Sequence, residues 1–314
     1  MNKITLSVLN TVRLGKLRSG FVRQTHDHLP GSAIRGAFAT AWLNGRRFEG
    51  GVRFGPAYFG QAPRALSLLE HKYEPYAECG QVYWDRAFLD EDAYPVTCPD
   101  CQQPLVESKG QVEGVNASKG RQTRTRMKDG LVDTEDAALF ADDYLKPLGR
   151  TASGQIFGVP SHITQIEGAK KVRIGGSLST KGAVSITIGA QPSEIAPTRS
   201  TLVLRLVSPA VFIDEDGFAS RIPDLAQITE IVGVSAVKIE RSWTRWVKVG
   251  GWHAASALPK NEELAVIGGS TFEIKFEQTP TAEQIDALIN HGIGIRRHEG
   301  FGHLIVLEHP SPLW

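Results

Sequence analysis

Three cysteines and one histidine form the clearest metal-binding pattern in this sequence. Cys98 and Cys101 are separated by two residues, the spacing of a zinc knuckle, and Cys79 lies nineteen positions before Cys98. His71 is the best candidate for a fourth ligand, because closed zinc sites often combine three thiolates with one imidazole. The poorer candidates are carboxylates, namely Asp85, Asp90 and Asp92. The pattern predicts a structural zinc ion, and the alternatives are free buried cysteines or a disulfide.

A glycine-rich stretch near the end of the chain contains residue types that could bind phosphate. Glycine adopts positive φ without penalty, so such a loop can turn N–H groups toward phosphate oxygens while arginines supply charge. The spacing matches neither the phosphate loop of NTPases nor the dinucleotide fingerprint, and a glycine-rich turn before a terminal strand is the alternative. The residues concerned are Gly292, Gly294, Arg296, Arg297, His298, Gly300 and Gly302.

Other basic residues are clustered along the chain, whereas acidic residues collect at 90–92 and 214–216. The formal net charge is only +1, so any basic surface must be local. Each cluster is a candidate for contact with the phosphates of a nucleic acid. The clusters are Lys16, Arg18 and Arg23 near the start, Lys119, Arg121, Arg124 and Arg126 in the middle, and Arg241, Arg245 and Lys248 later.

A turn at Pro30-Gly31 leads into the first predicted helix, which runs to about Trp42 with Ser32 as its N-cap. Arg35 is the one charged residue near the start of this helix. Together with the free N–H groups of the first turn, it could hold a phosphate. A solvated arginine is the alternative.

The composition is that of an ordinary soluble protein. The chain has 314 residues, 41% hydrophobic and 22% charged, which is enough for two cores of about 100 to 150 residues each. No apolar run approaches the roughly 18 to 20 residues of a membrane span, and the N-terminus lacks the apolar core of a signal peptide. We therefore expect a cytoplasmic protein without a membrane partner. The cytoplasm disfavours disulfides. A metabolic enzyme would need a cofactor fingerprint, and the sequence contains none.

The predicted strands and helices follow the same order in both halves of the chain. Strand, helix, strands, helix and strand is the ferredoxin-like pattern, whose antiparallel sheet is a frequent RNA-binding scaffold. We therefore predict an α+β protein of two tandem ferredoxin-like (RRM-like) domains, 1–192 and 201–314, with a linker at 190–200. The signals are strands at 4–9, 184–188, 201–207 and 304–307, and helices at 32–42, at 223–232 and from 280, the last with Ile285, Leu288 and Ile289 buried.

The first half is too long for one ferredoxin-like unit, so it contains insertions. One, at about 70–110, holds the three cysteines and is the predicted zinc-binding segment. The other, at about 113–150, is polar and basic, and it predicts a flexible thumb that closes over an RNA strand. A disordered surface loop is the alternative. Tryptophans in the second half could stack on bases, although we expect at most one of them to contact RNA. They are Trp243, Trp246 and Trp252.

Both ends of the chain resemble the RAMP superfamily, the RRM-like subunits of CRISPR effector complexes. Residues 29–39, Leu-Pro-Gly-Ser-Ala-Ile-Arg-Gly-Ala-Phe-Ala, resemble its first-helix signature, and residues 292–302 resemble its C-terminal glycine-rich loop. One departure is at 175–183, where the first domain's own loop has one glycine fewer than the family pattern, so we expect a looser backbone approach there. The middle of the chain is similar to the two-RAMP-domain, group-5-like subunit of type III-D systems, at 124–157, 172–176, 249–252, 258–260 and 269–270.

This resemblance implies a non-catalytic RNA-binding subunit that holds the 5′ tag of a guide RNA and caps the backbone of a type III-D ribonucleoprotein. Its implied partners are the guide RNA, backbone RAMP subunits and a large polymerase-like subunit, with target RNA contacted indirectly. Relatives often carry a similar cysteine and histidine insertion, in agreement with the predicted zinc. Arg245, which lies between Trp243 and Trp246 in the sequence, is also expected to bind RNA.

An endoribonuclease is the alternative that the same resemblance offers. RAMP subunits that cut target RNA place an aspartate in the loop before the first helix, and those that process precursor RNA often use a histidine. Here that loop is Thr25-His26-Asp27-His28, so Asp27, His26 and His28 would be the catalytic residues. Such residues are also common turn and capping groups, and capping subunits of this branch bind RNA without cleaving it. We therefore expect no catalytic residue.

Overall fold

The structure is a computed structural model, and its described residues form mostly β-sheet with three α-helices, in agreement with the predicted α+β class. None of the helices in the described ranges is long and apolar enough to serve as a membrane span. The structure describes residues 2–19, 21–42, 51–60, 62–73, 79–80, 83–91, 94–110, 119–125, 127–129, 131–132, 139–146, 151–158, 170–176, 181–190, 197–253 and 258–310.

The described elements are as follows in chain order. The strands of the first half are β1 (Asn2–Val8), β2 (Gly15–Ser19), β3 (Val22–Thr25), β4 (Arg53–Phe54), β5 (Leu68–His71), β6 (Tyr83–Asp85), β7 (Leu105–Glu107), β8 (Lys119–Thr125), β9 (Met127–Lys128), β10 (Leu131–Val132), β11 (Leu139–Leu145), β12 (Thr151–Phe157), β13 (Lys170–Arg173) and β14 (Ala183–Ala190). Those of the second half are β15 (Thr201–Leu206), β16 (Phe212–Ile213), β17 (Ala219–Ser220), β18 (Ala236–Trp243), β19 (Trp246–Val249), β20 (Trp252–His253), β21 (Leu258–Pro259), β22 (Glu263–Val266), β23 (Thr271–Phe276) and β24 (Leu304–Leu307). The helices are α1 (Gly31–Trp42), α2 (Leu225–Val232) and α3 (Ala282–His291).

The first half is built on a five-stranded sheet with the order β13-β14-β1-β12-β4. β1 pairs antiparallel with β12 on one side and with β14 on the other. Alternate residues of β1, namely Ile4, Leu6 and Val8, are buried, as the alternating sequence predicts. They share a hydrophobic core with Ile34 and Phe38 of α1, so the helix packs on this face of the sheet.

The second half is a four-stranded antiparallel sheet with the order β18-β23-β15-β24, and α2 and α3 contribute to its core. Numbered within this half, the strand order is 2-3-1-4, which is the ferredoxin-like order. In the first half, β4, β12, β1 and β14 lie in the same order. The two sheets therefore repeat one arrangement, and each has its own hydrophobic core.

Capping residues explain where the two later helices begin. Asp224 accepts a hydrogen bond from the Ala226 N–H at the start of α2. Thr281 and Gln284 form a reciprocal capping box at the start of α3, whose predicted buried residues are confirmed. The N-cap prediction for Ser32 is wrong. α1 begins at Gly31 and its first amides donate to the Pro30 carbonyl, so Ser32 lies exposed inside the first turn.

The glycine-rich loops of the two halves have matching hydrogen bonds. In the first half, the Ile174 N–H donates to the Gly182 carbonyl at 2.8 Å, and the Gly182 N–H donates to Thr11 at 2.8 Å. In the second half, the corresponding bonds run from Ile293 to Gly302 at 3.0 Å and from Gly302 to Pro209 at 2.8 Å. The ends of the two loops, at 174–176 with 181–182 and at 293–295 with 301–302, are thus built in the same way.

The described ends of the first-half loop are tight, against the expectation of a looser approach, and residues 177–180 lie outside the described residues. Gly175 and Gly182 both have positive φ, at +85° and +84°. A Cβ at Gly175 would lie 2.2 Å from the Arg13 carbonyl oxygen, and one at Gly182 would lie 2.2 Å from that of Ile174. These two glycines are enough for the close approach.

Two smaller sheets are formed by the insertions. The segment with the cysteines forms a three-stranded sheet in the order β6-β5-β7. Part of the basic insertion forms β8, which pairs with the whole of β11 in a four-stranded sheet, β2-β3-β11-β8. Residues 119–125 are therefore a folded strand rather than a disordered loop. Residues 111–118, 126, 130, 133–138 and 147–150 lie outside the described residues.

Candidate metal centre and nucleic-acid interface

The four predicted metal ligands lie together, with their ligand atoms all within 4.8 Å of one another. His71 Nε2 is 3.6 Å from Cys79 Sγ and 3.2 Å from Cys101 Sγ, and the sulfurs of Cys79 and Cys98 are 3.6 Å apart. A tetrahedral ion with bonds of about 2.3 Å to sulfur would hold two sulfurs about 3.7 Å apart. A disulfide needs about 2.05 Å, so the cysteines are free thiols in an arrangement that could hold a metal ion.

Local structure places these four side chains. His71 is the last residue of β5, and the Cys101 N–H donates to Cys98 Sγ at 3.4 Å, which folds the two-residue spacer into a knuckle. Burial raises the pKa of the Cys98 thiol, but hydrogen bonds from Cys101 and His71 outweigh this and lower the pKa to about 7. A lower pKa favours the thiolate, which is the form that binds metals.

The carboxylates considered as fourth ligands do not join this cluster. Asp85 is fully buried and pairs with Arg205 at 2.7 Å. Asp90 is exposed and lies outside the group of candidate ligands, and Asp92 is not among the described residues. His71 is therefore the ligand that the structure places with the cysteines.

The cysteine segment is attached to the sheet of the second half by arginines. Besides the buried Arg205–Asp85 pair, Arg241 donates to the Leu89 carbonyl at 2.7 Å and to the Tyr94 hydroxyl at 2.8 Å, while pairing with Glu273. The strand register places Arg205, Arg241 and Glu273 on one sheet face, and the buried residues of α2 and α3 pack on the other. The segment thus covers the face that an RRM-like domain would use for RNA.

Two of the three tryptophans considered for base stacking are engaged within the chain. Trp243 lies under the guanidinium groups of Arg86 and Arg241, at 5.7 and 5.4 Å from the ring centre. Trp246 packs against the second core and lies under Arg221. The side chain of Trp252 is outside the described residues. Arg245 is exposed and donates to the Lys109 carbonyl at 3.2 Å, away from the other basic clusters.

Most backbone amides of the 292–302 loop already donate within the chain, so a phosphate cradle stays a prediction for the remaining amides only. The glycines of this loop are buried, and a Cβ at Gly300 would lie 2.7 Å from the Phe54 carbonyl oxygen and 2.8 Å from Gly31 Cα. Gly300 thus permits close packing between the two halves, while Gly294 and Gly302 pack against residues of the second half. The amides that already donate within the chain are those of Gly292, Ile293, Gly294, Ile295, Glu299, Gly300, Gly302 and His303.

The charged side chains of this loop have different surroundings. Arg296 pairs with Glu263 at 2.5 Å and with Glu299 at 2.8 Å, and its side chain is only 13% exposed. It therefore stabilises the loop and offers no unbalanced charge to a phosphate. Arg297 contacts His291 at the surface, and no carboxylate of the described residues forms an ion pair with it. The side chain of His298 is 63% exposed.

The start of α1 meets the same loop. Gly31 packs against the backbones of Phe54 and Gly300. Ser32 is exposed, and Arg35 lies near His298, where its charge adds to burial in lowering the pKa of that imidazole. Ser32, Arg35, Arg297 and His298 thus lie at one edge where the two halves meet.

The sheet β2-β3-β11-β8 gathers most of the other predicted RNA-binding residues. Arg23 covers the Phe140 ring at 4.3 Å, Lys119 pairs with Asp27, and Arg121 pairs with Asp143 at 2.7 Å. Lys16 is exposed at the start of β2. The side chain of Arg18 and all of Arg126 lie outside the described residues. The residues of this sheet that sequence analysis singled out are Lys16, Arg23, Lys119, Arg121 and Arg124.

The loop considered for catalysis is partly buried between this sheet and Tyr58. Burial, with neighbouring positive charge, lowers the pKa of His26 to about 3 and that of His28 to about 4. Burial alone would raise the pKa of Asp27, but its hydrogen bond and charge interaction with Lys119 leave that pKa lowered. At neutral pH the loop therefore carries two neutral imidazoles and one carboxylate paired with Lys119.

Sequence analysis missed two groups of charged residues. Arg13 and Lys181 lie beside Arg124 around the buried Asp142, and Arg53 donates to the Ile289 carbonyl at the end of α3. Lys181 directly precedes a loop glycine, which is the signal that could have identified it. Arg53 has no such signal, because its partner is 236 residues away.

No family model matches the sequence, and no curated protein matches it. Among solved structures, the chain is similar to a "Cryo-EM structure of the Type III-B Cmr-beta bound to cognate target RNA", with a TM-score of 0.45, 12% identity and 86% of each chain covered. It is also similar to a "CRISPR associated protein Cas6" (0.39, 10% identity, 98% of each chain). A further similar structure is the product of a Cas6-related gene from Pyrococcus furiosus (0.39, 10% identity, 98% and 99%). All these TM-scores are below 0.5, and nothing further is concluded from them.

Proposed function

We propose that this protein is an RNA-binding structural subunit of a CRISPR type III effector complex and a member of the RAMP superfamily. The observation that carries the proposal is the sheet β2-β3-β11-β8, on which five predicted RNA-binding cations come together from segments more than 90 residues apart. The residues at 29–39 and 292–302 that resemble the RAMP superfamily support guide RNA as the ligand.

The cations on this sheet are suited to the phosphates of RNA. Lys119 and Arg121 have side chains that are 45% and 58% exposed, and each faces one carboxylate. Exposed ion pairs contribute only about 0 to 1 kcal/mol, so an RNA phosphate can replace or share the carboxylate at little cost. Binding of this kind is independent of base sequence and weakens with salt.

The finer role that we propose is that of the two-domain, group-5-like subunit of a type III-D complex, which holds the 5′ tag of the guide RNA in the cytoplasm. Its neighbours would be backbone RAMP subunits and a large polymerase-like subunit, with target RNA contacted indirectly. The repeated sheet order and the repeated glycine loops support a protein of two related halves. The edge formed by Ser32, Arg35, Arg297 and His298 would contact the same RNA.

The metal that we propose for the cysteine segment is zinc. Three thiolates and one imidazole suit Zn²⁺, and four protein ligands complete its preferred coordination, so the ion would be structural. It would fix β5, β6 and β7 and thereby the Asp85 carboxylate that pairs with Arg205.

We further propose that the subunit does not cleave RNA. Burial lowers the pKa of His26 to about 3 and that of His28 to about 4, far below neutral pH, so both imidazoles would be weak proton acceptors and neither would be a protonated general acid, and Asp27 is paired with Lys119. Asp27→Ala in the assembled complex should leave every RNA cleavage product and its rate unchanged. Loss of a general acid or base would instead slow one cleavage by about 100- to 10,000-fold. That outcome, with assembly intact, would make the protein a nuclease.

RNA binding by the basic sheet is tested with Lys119→Gln/Arg121→Gln. The purified variant should bind single-stranded RNA more weakly, and the slope of log affinity against log salt should flatten by about 0.7 for each lost contact. The matched control is Lys238→Gln/Lys275→Gln, which removes two exposed lysines that lie opposite each other on β18 and β23 in the second half. Equal slopes for both variants would show that the sheet does not bind RNA.

A further inference from the structure

A group of cationic side chains converges beside the first-half glycine loop. Arg13 follows β1, Arg124 lies on β8, and Lys181 follows the loop glycines. The Nη2 of Arg13 is 2.8 Å and the Nε of Arg124 is 3.7 Å from the carboxylate of Asp142, which is fully buried. Arg124 and Lys181 also both donate to Gln122 Oε1, at 3.1 and 3.3 Å. Three cations therefore meet around one carboxylate and one amide oxygen.

The positive charge of this group exceeds the negative charge. Arg23, on the neighbouring strand, adds a fourth cation whose charge acts on Arg13. Among the described residues of this group, four cations less one carboxylate leave three positive charges unbalanced. Burial, together with repulsion from neighbouring arginines, lowers the pKa of Arg13 and that of Lys181. Within the described part of the chain, Asp142 is the one carboxylate whose charge acts on both.

The repeated loop shows that the fold does not need these charges. The Gly176 N–H donates to the Arg13 carbonyl at 2.9 Å, and in the second half the matching bond runs from Ile295 to Val211, also at 2.9 Å. Arg13 therefore corresponds to Val211. Lys181 precedes Gly182 as Phe301 precedes Gly302. The second loop has apolar residues, Val211 and Phe301, at both of these positions. The loop can therefore form without Arg13 and Lys181, and their charges point to a different role.

Aromatic rings hold two of the cations in place. Lys181 Nζ lies 4.8 Å from the centre of the Tyr144 ring, and the Arg23 guanidinium lies 4.3 Å from that of Phe140. The Tyr144 ring fits because it lies over Gly120, where a Cβ would come within 2.4 Å of it. Cation–π contacts orient a charge without neutralising it. Because a cation already lies over one face of each ring, these rings position charge rather than sandwich a base.

We propose that Arg13, Arg23, Arg124 and Lys181 form a site for a backbone phosphate of single-stranded RNA, which deepens and rests on the proposed function. A phosphodiester supplies the missing negative charge, and its oxygens can accept hydrogen bonds from guanidinium and ammonium groups together. No base edge is needed for this contact, so binding is independent of sequence. Asp142 keeps the two arginines in place and limits the affinity.

The test uses two substitutions with opposite expected effects. Lys181 does not pair with Asp142, so Lys181→Gln leaves no buried charge unpaired; it should weaken RNA binding and flatten the salt slope by about 0.7. Asp142→Asn removes the competing carboxylate and should strengthen binding. Lys238→Gln, a single lysine in the second half, is the control for net charge. The probes are oligouridylate and oligoadenylate RNAs of twelve nucleotides, each with a 5′-hydroxyl or a 5′-phosphate, followed by fluorescence anisotropy.

The expected result is the same weakening by Lys181→Gln on all four RNAs and none by Lys238→Gln. If Asp142→Asn does not fold, Arg23→Gln replaces it and should weaken binding as Lys181→Gln does. Weakening limited to one base sequence, or to RNA with a 5′-phosphate, would overturn a backbone-phosphate site. Wild-type protein that binds RNA while Lys181→Gln behaves as Lys238→Gln would overturn this site alone. Failure of the wild-type protein to bind any RNA would overturn the proposed function itself.

Discussion

His71 and Asp85 show how neighbouring residues of one small sheet take different tasks. His71 ends β5 beside the three thiols, while Asp85 ends the paired strand β6 and neutralises the buried Arg205. A buried carboxylate without a partner would be costly, so Asp85 is committed to that arginine. Asp85 is therefore not available to a metal ion, and His71 is the candidate fourth ligand beside the three thiols.

We predict that His71→Ala lowers the metal content of the purified protein from about one equivalent of zinc per chain to well below that value. Asp90→Ala is the control and should keep its zinc, because Asp90 is exposed and outside the cluster. Elemental analysis measures both. Full zinc content in His71→Ala would mean that another residue or a neighbouring subunit supplies the fourth ligand.

The residues of the candidate metal site could be predicted from sequence, but the ion pairs between distant charged residues could not. The Cys-x-x-Cys spacing, with Cys79 and His71 upstream, identified the four residues of the metal cluster because few other residues can bind zinc. Arg296 was predicted as a phosphate ligand because its partner Glu263 is 33 residues away, so the local sequence shows no carboxylate that pairs with it. Only folding shows that its charge is already neutralised.

The second glycine loop acts as a packing element between the halves. Gly300 has φ +96° and lies against the backbones of Gly31 and Phe54, where a side chain has no room. The loop then leads into β24, the edge strand that pairs with β15, so its geometry also affects the register of that pair. Its conformation therefore contributes to stability, and the RNA contact that we propose here is made by side chains such as Arg297.

We predict that Gly300→Ala destabilises the protein by more than the about 1 to 3 kcal/mol that strained φ alone costs, because its Cβ would also displace backbone atoms. The control is Gly217→Ala. Gly217 also has positive φ, at +84°, but nothing lies within 4 Å of a Cβ there. Urea unfolding followed by circular dichroism measures both free energies. Equal losses would mean that the loop does not pack tightly against α1.

Local patterns predicted the three described helices and four of the strands, but not the strands of the insertions or what the loops do. The alternation in β1 and the capping box of α3 are short-range signals, and both predictions are confirmed. The loop amides donate hydrogen bonds to carbonyls far along the chain, such as that of Pro209 for Gly302, and local patterns do not indicate these acceptors. The same holds for the strand pairing of the basic insertion, which joins 119–125 to 139–145 across a long intervening segment.

The cysteine segment links the two halves of the molecule. Arg205 and Arg241 of the second sheet bind Asp85, Leu89 and Tyr94 of the segment, and this closes the sheet face that many RNA-binding domains use. In our proposal, RNA contacts the basic sheet of the first half and the edge near Arg297. A contribution of the metal to RNA binding would therefore be indirect, through the relative positions of the halves.

RNA recovered from the assembled complex distinguishes a guide-holding subunit from any other kind of protein. We predict that a complex purified through this chain contains one class of small RNA, and that sequencing shows the same 5′ end in nearly all molecules, because one subunit holds a defined tag. The complex should be purified in low salt, since phosphate contacts weaken as salt rises. A complex without RNA, or with RNA of scattered 5′ ends, would contradict the proposed function.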